Sequence, residues 1–185
     1  RFEKRFTRLI IGSMVIGSIL FLMPSLYGEG YGLINNLLKG NHIEAIGNTP
    51  FSFDENNIWI VIVLLLLITF FKAIAMSTTF AAGGVGGIFI PTLVMGSALG
   101  NAFAKIINNV GLGFHVSEAN FTLIGMTGLM AGVLHAPLTA IFLIAEITGG
   151  YDLFVPLMLV AAISFAFTKY FISNSIYTYK LAQRG

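Results

Sequence analysis

A glycine-rich break separates two long apolar stretches near the middle of the chain. Four of the five residues from Gly83 to Gly87 are glycine, and the segment Ile88 to Pro91 follows at once. In a membrane, the backbone can leave the regular helix only where protein or a water-filled cavity satisfies its polar groups. The break therefore predicts one of two arrangements. Either it is a kink that lets helices pack closely, or a new helix starts there at a cavity.

The composition indicates a membrane protein. Hydrophobic residues make up 56% of the 185 residues and charged residues 10%, whereas about 25% of an ordinary soluble domain is charged. Four of the ten basic residues lie in the first eight positions, and two lie in the last six. Because basic residues favour the cytoplasmic side, both ends are predicted to be cytoplasmic. The lack of a basic solvated face predicts no nucleic-acid partner.

Long apolar stretches predict the main helices. They are Leu9 to Leu26, Ile58 to Ala75, Ile88 to about Asn108, and Leu153 to Ile172. Pro137 divides a further stretch, Phe121 to Thr148, because a residue before proline avoids the helical region. Leu33 to Leu38 predicts a short surface or re-entrant helix, and about Tyr177 to Gln183 a last short one. Several of these are shorter than the roughly 20 residues that a crossing needs. We therefore predict an all-α membrane protein with broken and re-entrant helices.

Small residues recur at every fourth position on two of the predicted helices. The two stripes are Gly96, Gly100 and Ala104, and Gly128, Gly132 and Ala136. Such stripes let helix backbones approach closely in lipid. We interpret them as packing surfaces without chemistry.

The chain offers little for metal or covalent chemistry. It contains no cysteine, and His42, His115 and His135 are too far apart in sequence to form a ligand pair. Ser77, His135 and Glu146 show no arrangement of a nucleophile with a nearby base. We predict no metal, no cofactor and no enzymatic activity.

The residues after the glycines could bind an anion. Ile88, Phe89 and Ile90 are predicted to begin a helix, and Pro91 in its first turn suits a helix start. The N–H groups at such a start lack partners within the helix and carry about half a positive charge together. The segment is no phosphate-binding loop of the P-loop type, because no Gly-Lys-Ser or Gly-Lys-Thr follows. From the residues alone, the anion site and the packing kink stay equally open.

Several motifs resemble the CLC family of chloride channels and chloride/proton exchangers. Gly87 to Pro91 reads G-I-F-I-P and resembles the family's G-x-F-x-P motif. Met130 to Ala140, which contains A-P-L-T, is similar to a second family stretch. Glu146 to Thr148 and then Tyr151 to Pro156 continue the resemblance. Gly28 to Gly32 and Gly40-Asn41 upstream and a terminal tyrosine helix downstream fit the family's order, so the resemblance covers the whole chain.

The resemblance implies a chloride site. In the family, chloride is held by backbone amides at the G-x-F-x-P helix start and by a tyrosine hydroxyl. The amides correspond to Ile88 and Phe89. The tyrosine corresponds to Tyr177, which we favour over Tyr179 because a small hydrophobic residue, Ile176, precedes it. Either tyrosine could instead be an interfacial anchor.

The resemblance also implies how the chain is organised. Residues 1–185 resemble the C-terminal half of a CLC transmembrane region, which is one of two inverted-topology repeats. The chain begins at Arg1 without a methionine, and we predict a segment of a longer protein that requires its N-terminal half. The family also implies a homodimer, with Leu138 to Phe165 on the dimer face. The transported ions would be chloride for a channel, or chloride and protons for an exchanger; channel and exchanger both remain open.

We predict structural roles, and no role in transport, for the other ionisable residues inside the apolar stretches. The family's gating glutamate belongs to a motif that this chain lacks, so Glu146 is predicted to pack or hydrogen-bond near a helix end. His135 is predicted to be an ordinary hydrogen-bonded histidine. Lys72 and Lys105 are expected near aqueous ends, with their ammonium groups reaching water. The main alternative function is secondary transport of another anion through a similar helix start.

Overall fold

The structure, a computed structural model, describes residues 2–41, 44, 46, 57–111 and 113–179, with side chains from residue 6 onwards. All regular secondary structure in these residues is helical. The α-helices are α1 (Phe2–Leu22), α2 (Tyr31–Leu38), α3 (Ile58–Ala82), α4 (Phe89–Val110), α5 (Glu118–Leu134), α6 (Pro137–Thr148) and α7 (Phe154–Phe171). His42 and most of the predicted last helix, Tyr177 to Gln183, lie outside the described residues.

The predicted spans correspond to these helices, but several ends differ. Helix α1 begins at Phe2 and not at Leu9, and α3 continues to Ala82, seven residues beyond the predicted Ala75. Helices α3, α4 and α7 are each long and apolar enough to cross a membrane. The first predicted span was expected to continue to Leu26, but α1 ends at Leu22 and a separate 3-10 turn, Pro24–Leu26, follows. Pro24 cannot continue a helix because it lacks the N–H group and crowds the preceding turn. Helix α1 therefore stops at Leu22 and has 21 residues in all.

Local signals explain the ends of α3. The Asn57 side chain accepts a hydrogen bond from the N–H of Trp59 at 3.1 Å, which caps the start of the helix. At the other end Gly83 adopts the left-handed conformation, with φ of 95°, and its N–H donates to the carbonyl of Phe80. Glycine adopts this conformation without strain. The first glycine of the break thus ends α3.

The predicted helix boundary at Pro137 is confirmed. Helix α5 ends at His135, the one non-glycine residue with positive φ in the described part of the chain, at 55°. Pro137 then opens α6, which has 12 residues. At 1.5 Å per residue, α6 is about 18 Å long, well short of the hydrocarbon core of about 30 Å. Broken helices are therefore part of this fold.

Helices α4 and α5 form the centre of the bundle and touch through glycines. A Cβ atom at Gly96 would lie 2.6 Å from the carbonyl oxygen of Gly125, and one at Gly100 would overlap the carbonyl oxygen of Phe121. Further along α5, the helix packs on α7, where the Ser164 hydroxyl donates to the carbonyl of Gly128 at 2.6 Å. The two predicted glycine stripes are thus packing surfaces. Gly125, which neither stripe included, also faces α4, since a Cβ atom there would overlap the carbonyl oxygen of Gly96.

Candidate functional site

Helix α4 begins where the G-x-F-x-P motif predicts. Ile88 is the N-cap, and its carbonyl accepts hydrogen bonds from the N–H of Thr92 at 3.1 Å and from the Thr92 hydroxyl at 2.7 Å. The N–H groups of Ile88, Phe89 and Ile90 have no acceptor within the described part of the chain. Pro91 in the first turn has no N–H to satisfy. The helix start therefore presents three free donors.

The glycine break leaves the backbone before α4 open to its surroundings. Gly84 still donates to the carbonyl of Thr79 at 2.9 Å, but the next residues form neither helix nor strand. Val85 is fully exposed, and Gly86 and Gly87 are also exposed. A Cβ atom at Gly86 or Gly87 would meet nothing within 4 Å. Close packing therefore does not explain these two glycines, although it does explain those of α4 and α5.

Two neighbouring cavities lie along the break. The first, which we call the helix-start cavity, has a volume of about 340 Å³. Its lining consists of Gly28, Glu29, Gly87, Phe89, Ile90 and Pro91. The second, which we call the Lys72 cavity, has a volume of about 280 Å³ and lies against Lys72, Gly86 and Gly87. Gly28, Gly87 and Pro91 line both cavities, so the two adjoin along the same stretch of backbone.

Lys72 and Lys105, which the sequence analysis expected to reach water, are buried. Lys72 is 7% exposed, and its Nζ donates to the carbonyl oxygens of Leu26 at 3.0 Å and Gly28 at 3.2 Å. Lys105 is 1% exposed and pairs with Glu118, with Nζ and Oε2 2.6 Å apart. The sequence analysis predicted neither the burial of these two lysines nor their partners. The available signal was their position inside long apolar runs, where a charge needs a partner.

Tyr177 is the residue that the family resemblance predicts as the hydroxyl ligand. It belongs to a turn after α7, in which the N–H of Thr178 donates to the carbonyl of Ser175 at 3.1 Å. The Tyr177 side chain is more than half exposed. A third cavity of about 260 Å³ in this region is lined by Ile176 and Tyr179. No hydrogen bond or cavity lining within the described residues joins Tyr177 to Ile88 or Phe89, so its role as a ligand stays a prediction.

Glu146 and His135 have surroundings that suit ordinary roles. Glu146 is exposed near the end of α6, where its carbonyl accepts a hydrogen bond from the N–H of Gly149 at 3.1 Å. The ring of His135 packs edge-on against Phe165, with centroids 5.7 Å apart. Its side chain forms no hydrogen bond within the described residues, so the predicted hydrogen bond is not seen. Over the residues that the structure describes, no group of three or more histidine, aspartate or glutamate side chains is placed to hold a metal.

Comparison with known proteins identifies a single family. Residues 1–169 match the family described as "Voltage gated chloride channel". A "Putative chloride channel protein ClcB-like" of Ralstonia nicotianae is 28% identical over 95% of this chain and 37% of its own length. An "H(+)/Cl(-) exchange transporter ClcA" of Klebsiella pneumoniae is 31% identical over 81% of this chain and 28% of its own length. A "Voltage-gated ClC-type chloride channel ClcB" of Escherichia coli is 26% identical over 96% of this chain and 38% of its own length.

A solved structure shares the fold. The structure of a slow cyanobacterial Cl⁻/H⁺ antiporter superposes with a TM-score of 0.61 and 19% sequence identity. The match covers all of this chain and 48% of the antiporter chain. The chain therefore spans about half of that structure and less than two fifths of the curated relatives named above.

Proposed function

This chain belongs to the voltage-gated chloride channel family, an integral membrane family, and from that premise we propose that it forms one side of a chloride pathway. Residues 1–185 would be the C-terminal half of the transmembrane domain and one of its two inverted-topology repeats. The N-terminal half would complete the pore. The relatives bear the names of channels and exchange transporters, which supports a transporter rather than an enzyme.

The start of α4 is the observation that carries this proposal. Its three unpaired N–H groups lie at residues 88–90, and Phe89 and Ile90 line the helix-start cavity. Donors of this kind attract an anion through partial charges that are fixed in place before the ion arrives. A neutral site binds less tightly than a full opposite charge would, so the ion can also leave. The amides of Ile88 and Phe89 would replace part of the hydration shell of chloride.

The proposal also covers the oligomeric state of the protein and the orientation of this chain in the membrane. We propose a homodimer with the region Leu138 to Phe165 on its interface. Large apolar side chains on α6 and α7 are exposed there, among them Leu138, Phe142, Leu159 and Ile163. Exposure of apolar surface fits either a partner subunit or lipid. Both ends of residues 1–185 would lie in the cytoplasm because of their positive charge.

Chloride efflux from liposomes containing the full-length protein tests the function directly. We expect chloride to leave when the membrane potential is clamped by a potassium ionophore, and external pH is recorded in the same vessel. Proton movement against the chloride flux would indicate an exchanger, whereas chloride flux without it would indicate a channel. A folded protein that moves nitrate or another anion but no chloride would support the alternative anion transporter. A folded protein that moves no anion would overturn the proposal.

Tyr177→Phe tests the hydroxyl ligand. We expect chloride affinity, measured by isothermal titration calorimetry on the full-length protein, to fall by about tenfold or more. A hydrogen bond to a charged group contributes about 1.5–3 kcal/mol, and a factor of ten corresponds to about 1.4 kcal/mol.

Tyr179→Phe is the matched control, because Tyr179 is exposed to a similar degree, 54% against 55%. It should leave chloride affinity unchanged. If Tyr179→Phe weakens binding and Tyr177→Phe does not, the ligand is Tyr179, which was the competing candidate.

A further inference from the structure

A single buried serine lies in the exposed segment that carries Tyr177. Residues 172–179 follow α7, and Ser175 is the one buried residue among them, with 7% of its surface exposed. Tyr177 and its neighbours on both sides, Ile176 and Thr178, are exposed. The Tyr177 side chain forms no hydrogen bond within the described residues. The position of its hydroxyl therefore depends on the backbone that carries it.

The hydrogen bonds of this turn all end at Ser175. The Ser175 carbonyl accepts from the N–H of Thr178 at 3.1 Å and from the N–H of Tyr179 at 2.9 Å. It also accepts from the Thr178 hydroxyl at 3.3 Å. The Ser175 hydroxyl accepts from the N–H of Thr178 at 3.3 Å and lies 3.1 Å from Thr178 Oγ1. Tyr177 lies inside the loop of chain that these bonds close.

The hydroxyl of Ser175 makes the bond that a serine typically makes at the start of a helical turn. In that arrangement the side-chain oxygen accepts from the N–H group three residues later, as Ser175 does from Thr178. An alanine at this position has no acceptor, so only the bonds to the backbone carbonyl would remain. The side chain of Ser175 thus favours this turn over more open conformations of the segment.

The same serine also places the turn against the helical bundle. Ser175 lines the third cavity, of about 260 Å³, together with Gly132 on α5 and Thr168 on α7. Its burial there gives the exposed segment a fixed point beside these two helices. The cavity also leaves room for one added methyl group at Ser175.

We propose that Ser175 is a positioning residue for the Tyr177 hydroxyl. It acts through the backbone of the turn and does not itself contact the anion. The proposal rests on the proposed function, in which Tyr177 holds chloride. A hydroxyl binds only when it lies within hydrogen-bond distance of its partner. The apparent affinity therefore falls with the fraction of molecules in which the turn is formed.

Chloride affinity of the full-length protein, measured by isothermal titration calorimetry, tests this role. We expect Ser175→Ala to lower the affinity by about fivefold, the factor to which the loss of a helix cap corresponds. Ser175→Thr keeps a hydroxyl acceptor and should retain the wild-type affinity. Ser173→Ala is the matched control, because Ser173 is exposed and forms no hydrogen bond within the described residues. It should leave the affinity unchanged.

A double variant separates positioning from a general structural effect. If Ser175 acts through the Tyr177 hydroxyl, adding Ser175→Ala to Tyr177→Phe should cause no further loss of affinity. A further fivefold loss would overturn the proposal, because Ser175 would then act elsewhere. A loss in Ser175→Thr as large as in Ser175→Ala also overturns it, since the hydroxyl would not be the cause.

The single variants distinguish this proposal from the proposed function. If Tyr177→Phe weakens binding and Ser175→Ala does not, Ser175 has no positioning role and the role of Tyr177 as a ligand stands. If Tyr177→Phe leaves the affinity unchanged, the hydroxyl is no ligand, and both the tyrosine part of the proposed function and the role of Ser175 are contradicted.

Discussion

Gly100→Ala is expected to destabilise the folded protein by at least about 3 kcal/mol, the upper end of what overpacking usually causes. The added Cβ would overlap the carbonyl oxygen of Phe121 and lie 3.1 Å from the Cα of Gly125. Both atoms belong to the backbone of α5, so no side-chain rotation can relieve the clash. Helices α4 and α5 would have to separate at the centre of the bundle. The measurement is the unfolding temperature of the full-length protein in detergent, together with its monodisperse yield.

Gly17→Ala is the matched control for this substitution. Gly17 also lies within a long helix, α1, but a Cβ atom there would meet nothing within 4 Å. Its unfolding temperature should equal that of the wild type or exceed it slightly, because alanine favours the helix over glycine. Equal unfolding temperatures for Gly100→Ala and Gly17→Ala would contradict the close crossing of α4 and α5.

The helices could be predicted from the sequence because their signals are local. Pro137 acts on the backbone within a few residues, so the boundary at His135 followed from chemistry alone. The end of α3 was predicted at Ala75, seven residues early, although the glycines after Ala82 carried the signal. The end of α1 was predicted four residues late, although Pro24 carried the information. Gly125 was missed because it lies off the fourfold stripe that begins at Gly128. Which face of a helix meets its neighbour depends on tertiary packing, and the stripe rule could not assign it.

One part of the candidate site could be predicted from the sequence, and another part could not. The free N–H groups at residues 88–90 could be predicted, since a helix start follows directly from the glycines and Pro91. The partners of Lys72 could not, because Leu26 and Gly28 are 46 and 44 positions away in the chain. The relation of Tyr177 to the α4 start is likewise a question of distant packing. Within the described residues no hydrogen bond or cavity lining joins Tyr177 to that helix start, so the relation stays a prediction from the family resemblance.

A buried ion pair ties the far part of α4 to the first turn of α5. Lys105 Nζ lies 2.6 Å from Glu118 Oε2, with the lysine 1% and the glutamate side chain 29% exposed. The backbone carbonyl of Glu118 accepts a hydrogen bond from the Thr122 hydroxyl at 2.7 Å, and that hydroxyl accepts one from Asn101 Nδ2 at 3.1 Å. The pair is thus part of a polar network within an apolar interface. Removing one member leaves the other charge uncompensated.

Glu118→Gln is expected to destabilise the full-length protein by about 3 kcal/mol, the lower end of the 3–5 kcal/mol that follows from breaking a buried pair. The lower end applies because Glu118 is partly exposed, so water can reach the site. The measurement is again the unfolding temperature in detergent.

Two further variants decide whether the unpaired charge of Lys105 causes the loss of stability in Glu118→Gln. Glu44→Gln is the matched control: Glu44 is exposed, lies outside the proposed dimer interface and forms no ion pair in the described structure, so the unfolding temperature should stay unchanged. Adding Lys105→Met to Glu118→Gln removes the stranded charge and should restore much of the lost stability, since an apolar side chain of similar size can replace a buried ion. If the double variant is less stable than Glu118→Gln alone, Lys105 stabilises the bundle through its packing and other contacts, and the pair is not the cause.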